Sequence, residues 1–186
     1  VPSPGIPEAR YRGRARVAWG DIELAARFLA VPIVAVTGTN GKSTTVRLIE
    51  AMLCGAGLRA RAAGNVGTPA LSLVGEPLDV AVLEVSSFQL EATEALRPKV
   101  AVVLNVTPDH LDRHGDLAGY AAAKRRLLRN QEADDVAVLA FDDPIVRDFA
   151  AHTRAEVIPF SLRSAIVDPA TRRAAWLDAG CAVLRD

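Results

Sequence analysis

Residues 37–44 read Thr37-Gly38-Thr39-Asn40-Gly41-Lys42-Ser43-Thr44, a short polar turn carrying two glycines and closed by a lysine and hydroxyls. Glycines at Gly38 and Gly41 let the backbone turn tightly, so several N–H groups can face one anion. A lysine at this spacing reaches the β- and γ-phosphates of a nucleotide, and a hydroxyl from Ser43 or Thr44 can bind magnesium. The general pattern G-x-x-x-x-G-K-[ST] wants glycine at position 36, where this chain has Val36. The motif is therefore a shorter variant, T-G-T-N-G-K-S, and its expected ligand is ATP with magnesium.

Other residue types that do chemistry recur at regular intervals beyond this loop. Gly64-Asn65-Val66-Gly67 is a flexible turn with one amide. Glu84 closes the apolar run Val80-Ala81-Val82-Leu83 and precedes Ser86-Ser87-Phe88-Gln89. A carboxylate there is costly to bury unpaired. Magnesium beside the phosphate loop would pair it; a surface glutamate at a strand end is the plain alternative. Asn105 precedes a dense polar stretch, Thr107-Pro108-Asp109-His110-Leu111-Asp112-Arg113-His114. His110 stands there as a metal ligand, a substrate contact or a structural histidine, and His114 reads as structural. The 22 basic residues include only three lysines, Lys42, Lys99 and Lys124, so a lysine that persists is a candidate for a role arginine cannot fill. Lys124 shares a helical face with Leu117, Tyr120, Ala121 and Leu128. Either its stem lies on the core with the amine in solvent, or the amine is buried, lowered in pKa and used. A neutral amine can add CO₂ and become a carboxylate-like metal ligand.

These residues need a scaffold that brings distant turns together. Short β-branched runs at 33–36, 59–62, 80–85, 100–104, 136–140 and 156–160 read as strands. Helical patterns fall at 21–30, 43–56, 68–74, 117–129 and 144–151. On the helix at 43–56, Val46, Ile49, Leu53 and Ala56 form the apolar face. Strands alternating with helices imply an α/β, doubly wound, mostly parallel sheet. Every polar stretch singled out lies at the carboxyl end of a strand, where such sheets bind ligands. Residues 176–184 suggest short strands in a small antiparallel appendage.

Composition narrows the function. The chain has 186 residues, half of them hydrophobic, and 22 basic residues balance 22 acidic ones. That balance argues against nucleic acid as a partner. The sequence lacks an apolar run of membrane-spanning length and a signal-peptide pattern. Cys54 and Cys181 have no metal or redox spacing. A monomer in the reducing cytoplasm is the expectation.

Taken together, T-G-T-N-G-K-S-T, G-N-V-G, L-E-V-S-S-F-Q-L, N-V-T-P-D-H-L-D-R-H and Y-A-A-A-K resemble the Mur ligases of bacterial peptidoglycan synthesis, ATP-dependent enzymes that form amide bonds. The resemblance runs over residues 3–143. Ser43 and Ser86-Ser87-Phe88-Gln89-Leu90 favour the member that adds D-glutamate to UDP-N-acetylmuramoyl-L-alanine. Relatives adding other amino acids tend to have threonine after the lysine and histidine at the place of Phe88.

The resemblance implies roles. Lys42 and the loop backbone would hold ATP, Ser43 and Glu84 a first magnesium, and His110 with a carbamylated Lys124 a second. Asn65, Ser86 and His110 would face the muramoyl-L-alanine end of the substrate. Residues 1–30 would be the remnant of an N-terminal UDP-binding domain with its linker, and 31–186 the central ATP-binding domain, incomplete at its C-terminal end. The amino-acid-binding C-terminal domain would be absent, leaving this chain unable to complete ligation alone. Ala140 stands where the family usually has an asparagine near adenine. Two alternatives stay open: an ATP-binding module without turnover, and a ligase of another specificity, either another Mur ligase or one like folylpolyglutamate synthase.

Overall fold

The computed structural model describes residues 19–65, 67–163, 165–166 and 171–185. Ser3-Pro4-Gly5, the basic stretch at 10–16 and Val66 lie outside the described residues. Among the described residues eight strands form one sheet: β1 (Ile33–Thr37), β2 (Ala60–Gly64), β3 (Val80–Glu84), β4 (Val100–Val103), β5 (Val136–Ala140), β6 (Glu156–Ser161), β7 (Ala174–Asp178) and β8 (Cys181–Arg185). Their order is β2-β3-β1-β4-β5-β6-β7-β8. All neighbours pair parallel except β7 and β8. The central strands are alanine and valine runs because a parallel sheet is covered on both faces. The antiparallel pair expected near 176–184 exists, and it continues the main sheet, since β7 pairs with β6 through Phe160–Ala175 and Ser161–Trp176.

Among the described residues six α-helices accompany the strands: α1 (Asp21–Phe28), α2 (Lys42–Gly55), α3 (Ser87–Glu91), α4 (Leu111–His114), α5 (Leu117–Arg125) and α6 (Pro144–Asp148). The larger core gathers Ile22 and Ala25 of α1, Leu90 of α3, Tyr120 and Ala121 of α5, Val146 of α6 and the inward residues of β1, β3, β4 and β5. The smaller core joins Val46 of α2 to Val36, Val82 and Val102, with Ile49 and Leu53 half-buried beside them. Ala56, expected on that apolar face, is exposed because it is the C-cap, one residue past the last turn.

Three expected helices are shorter than their patterns. The pattern at 117–129 ends as α-helix at Arg125 and tightens into a 3₁₀ turn, Arg126–Leu128. The one at 144–151 does the same, with Phe149–His152 as 3₁₀ turn. At 68–74 only a 3₁₀ turn, Ala70–Leu73, forms behind Pro69. Helix ends commonly tighten this way to satisfy their last carbonyls.

The chain winds to one side of β1 through β2 and β3, then crosses to the other side with β4. The carboxyl ends of β1 and β4 therefore flank the crevice where the winding reverses, the place such sheets offer to ligands.

Candidate active site

The loop between β1 and α2 occupies that crevice. Gly41 is the N-cap of α2 at φ 85°, a left-handed conformation that glycine adopts without strain. It supplies no side-chain cap, so the first N–H groups of α2 remain available to an anion, aided by the helix dipole. The loop is clamped from β4. Asn105 accepts from the Asn40 N–H at 2.8 Å and donates to the Asn40 carbonyl at 3.1 Å. The Thr39 N–H donates to the Asn105 carbonyl at 3.0 Å. Thr39 Oγ1 donates to the Thr107 carbonyl and accepts from the Thr107 N–H at 3.0 Å and the Tyr120 hydroxyl at 3.3 Å. Thr44 lies exposed on the first turn of α2.

Two of the three lysines meet at one carbonyl. Lys42 Nζ donates to the Gly38 carbonyl at 3.0 Å and to that of Thr39 at 2.9 Å. Lys124 Nζ donates to the same Gly38 carbonyl at 2.7 Å and lies over the Tyr120 ring, 4.4 Å from its centroid. Lys124 is 1 % exposed, so of its two sequence readings the buried amine is the one found. Burial first, and the neighbouring Lys42 charge second, pull its pKa down to about 7 against the opposing effect of Asp109. Near neutral pH the amine is thus partly uncharged, as CO₂ addition requires.

On the other side of the loop, Glu84 is buried at 2 % exposure. Its Oε2 accepts from Ser43 Oγ at 2.7 Å and its Oε1 from Asn65 Nδ2 at 3.1 Å. Gly64 makes the approach possible, since a Cβ there would lie 2.2 Å from the Glu84 carbonyl oxygen. Hydroxyl and carboxylate oxygens are the donors magnesium takes, alongside phosphate and water. The set fits a first magnesium.

His110 is half-exposed, with Nε2 3.5 Å from Asp109 Oδ2. Its backbone is left-handed, φ 50°, a conformation that costs a non-glycine residue about 1 kcal/mol or more and often marks a functional position. Its ring packs against Phe88 (centroids 4.9 Å apart) and the edge of Tyr120 (6.4 Å). Among the described residues no three His, Cys, Asp or Glu side chains are grouped to hold a metal. A carbamate on Lys124, if formed, would be an oxygen donor of the kind magnesium takes, which the amine is not.

Ser86 is engaged as a cap. Its Oγ accepts from the Gln89 N–H at 3.3 Å and donates to Gln89 Oε1 at 3.0 Å. Gln89 Nε2 then reaches Asp21 Oδ2 at 3.0 Å, tying α3 to α1. His114, read as structural, is buried. Its Nδ1 faces Glu91 Oε1 at 3.1 Å and its Nε2 faces Ser87 Oγ at 3.0 Å. A carboxylate only accepts, so Nδ1 donates. Burial holds the imidazole below its ordinary pKa, leaving Nε2 of the neutral ring to accept from Ser87.

Beside the loop, at the carboxyl ends of β4, β5 and β6, lies a cavity of about 450 Å³. Ala140, Val106, Ile145 and Phe160 give it an apolar lining, with Asp142 and Asp143 among its polar residues. Asp143 caps α6 through the N–H groups of Ile145 and Val146 and also holds the Val106 N–H. Asp142 accepts from Ser161 Oγ and the Leu162 N–H. With Ala140 in its wall, the cavity has no side-chain amide at that position to hydrogen-bond a base. The clamp by Asn105 and the roles of Tyr120 and Asp109 around Lys124 were not assigned from sequence. Tyr120 is one helical turn before Lys124, the one spacing that signals its contact.

A parallel sheet with a phosphate loop at its switch point, a hydroxyl–carboxylate pair beside it and an adjoining, largely apolar cavity defines a nucleotide-binding α/β domain. The profile of the Mur ligase middle domain matches residues 36–176, and the chain belongs to the Mur ligase family. It is 46 % identical over 98 % of its length to UDP-N-acetylmuramoylalanine--D-glutamate ligase of Pelotomaculum thermopropionicum, covering 41 % of that protein. It is 50 % identical over 93 % of its length to the enzyme of the same name from Anaeromyxobacter dehalogenans, covering 38 % of it. The chain thus spans about two fifths of the curated relatives it matches. Among solved structures, a UDP-N-acetylmuramoyl-L-alanyl-D-glutamate--2,6-diaminopimelate ligase superposes with a TM-score of 0.62 at 28 % identity, over 84 % of this chain and 36 % of that one.

Proposed function

We propose that this chain is the ATP-binding, carboxylate-activating part of a ligase that adds D-glutamate to UDP-N-acetylmuramoyl-L-alanine in the bacterial cytoplasm. The convergence of Lys42 and Lys124 on the Gly38 carbonyl, opposite the Ser43–Glu84 pair, carries the reading. It surrounds the loop with the charges that a transferring phosphoryl group needs. The relatives that share 46 % and 50 % identity, both named as the D-glutamate-adding enzyme, support this specificity over folylpolyglutamate synthesis. In this reading residues 31–186 act as the ATP-binding domain, and 1–30 lead from a UDP-binding domain.

The first N–H groups of α2 and Lys42 hold the phosphates. Ser43 and Glu84 would hold one magnesium; His110 and carbamylated Lys124 would hold another. Bound there, the ions neutralise phosphate charge. Asn65, Ser86 and His110 face the muramoyl substrate, whose carboxylate oxygen attacks the γ-phosphorus while the bond to ADP breaks. The acyl phosphate is then attacked by the D-glutamate amine. The carbon–oxygen bond to phosphate breaks, and the amine loses a proton. Asn105 and Tyr120 keep Thr39, and so the loop, in place throughout.

Calorimetric titration tests the first half of this account. The chain alone should bind ATP in magnesium buffer and release no phosphate on adding muramoyl substrate, and Lys42→Ala should weaken binding by about tenfold or more, roughly 1.4 kcal/mol. Unchanged binding by Lys42→Ala would remove the loop from the account. Turnover by this chain alone would show that its residues suffice for the reaction.

A further inference from the structure

The backbone of His110 is held, its N–H donating to Asp109 Oδ1 at 2.9 Å and its carbonyl accepting from the N–H groups of Arg113 and His114, but its ring is not. Its imidazole reaches Asp109 at 3.5 Å, too long for a firm hydrogen bond, and its side chain is 49 % exposed. Its ring contacts are aromatic: Phe88, tilted against it, and Tyr120, edge-on. Both of those rings rest on a third group, His114. Phe88 stacks on the His114 ring almost in parallel, 8° apart with centroids at 5.4 Å. Tyr120 leans on it at 5.2 Å.

The His114 ring cannot turn. Its side chain is 1 % exposed, and both nitrogens are held by α3, Nδ1 by Glu91 at the helix end and Nε2 by Ser87 at its start. Arg113 fixes Glu91 in turn, at 2.9 Å. A ring locked at two opposite atoms presents its face in one orientation, and offset stacking makes that orientation matter to Phe88. Phe88 lies on α3 itself, so its ring is set both by that helix and by the stack on His114, and the His110 ring packs against it.

We propose that His114 is a positioning residue for His110: anchored by Ser87 and Glu91, it sets the Phe88 and Tyr120 rings against which the His110 ring packs. The consequence for catalysis rests on the reading that His110 faces substrate or metal; the positioning itself does not.

The chain has three histidines, His110, His114 and His152, so a carbon–proton correlation spectrum of labelled imidazoles is readable in the whole chain. His152 is 44 % exposed on the 3₁₀ turn Phe149–His152 and serves as the reference. In the parent protein, ring currents from Phe88 and Tyr120 should displace the His110 resonances from those of His152. In His114→Ala, with the fold verified by circular dichroism, they should collapse toward His152. His114→Phe, which keeps a stacking face, should restore most of the displacement. If His114→Ala does not fold, Ser87→Ala keeps the ring but frees Nε2, and it should also move the His110 resonances. Resonances of His110 that stay in place in the folded His114→Ala or in Ser87→Ala, or that His114→Phe does not restore, overturn the proposal. Retained activity of His110→Ala in the complete protein would instead refute the catalytic reading and leave the positioning intact.

Discussion

Lys124 and Lys42 donate to one carbonyl, that of Gly38. A buried ammonium is held by one oxygen and a ring face while a second cation stands nearby, so the folded protein prefers the neutral amine. The consequence for stability has a definite sign. Folding lowers this pKa from 10.5 to about 7. Between those values the unfolded chain keeps a proton that the folded chain has lost, so stability climbs as pH rises through the window. Urea unfolding at pH 7 and pH 9.5 should show a gain on the order of a few kcal/mol that is missing in Lys124→Met. An equal slope in both proteins would mean that Lys124 is not held neutral. Across the loop, Glu84→Gln keeps the shape but loses the charge, and should weaken magnesium-dependent ATP binding by about tenfold while leaving magnesium-free binding unchanged in calorimetry. The types and places of Lys42, Glu84 and Lys124 are legible in sequence, because the loop motif, the end of an apolar run and a helical face each mark one of them. Their meeting is not, because it depends on how the loop carbonyls point.

At the scale of elements, the glycines beside the loop divide into those the geometry demands and those it does not. Gly64 ends β2 at φ 122°, and a Cβ there would lie 2.2 Å from the backbone oxygen of Glu84. Gly64→Ala should cost roughly 2–4 kcal/mol, seen as a lowered urea midpoint. Gly55 closes α2, and a Cβ added there would meet nothing within 4 Å, so Gly55→Ala should be neutral or stabilise by up to about 1 kcal/mol. Equal effects at the two sites would refute this distinction. The strands are legible in sequence because valine and alanine runs of five residues, bounded by turns, admit few other readings. The two helices that carry the histidine cluster are not. At five and four residues, α3 and α4 are too short to show a period, so the Ser87–His114–Glu91 contact arises between elements that no pattern announces. Asp143 and Ser86 are similar cases: each stands before a helix, yet only the structure shows that each is engaged as a cap.

For the whole molecule, the winding of the chain places the phosphate loop between strands that come from opposite halves of the sheet. The clamp from Asn105 to Asn40 spans that seam, and the apolar-lined cavity opens beside it. Fold class and the family were legible from the alternation of strands and helices and from five short blocks of residues; the single continuous sheet through β8 was not, because the sequence signal weakens where β7 joins β6. The central claim is that ATP is used here to activate a carboxylate. It is tested most directly with the complete protein, D-glutamate, ATP and UDP-N-acetylmuramoyl-L-alanine labelled with oxygen-18 in its carboxylate. Phosphate released during ligation should carry one labelled oxygen, left behind when the amine displaces the acyl phosphate. Ligation that releases phosphate with no label would contradict the account.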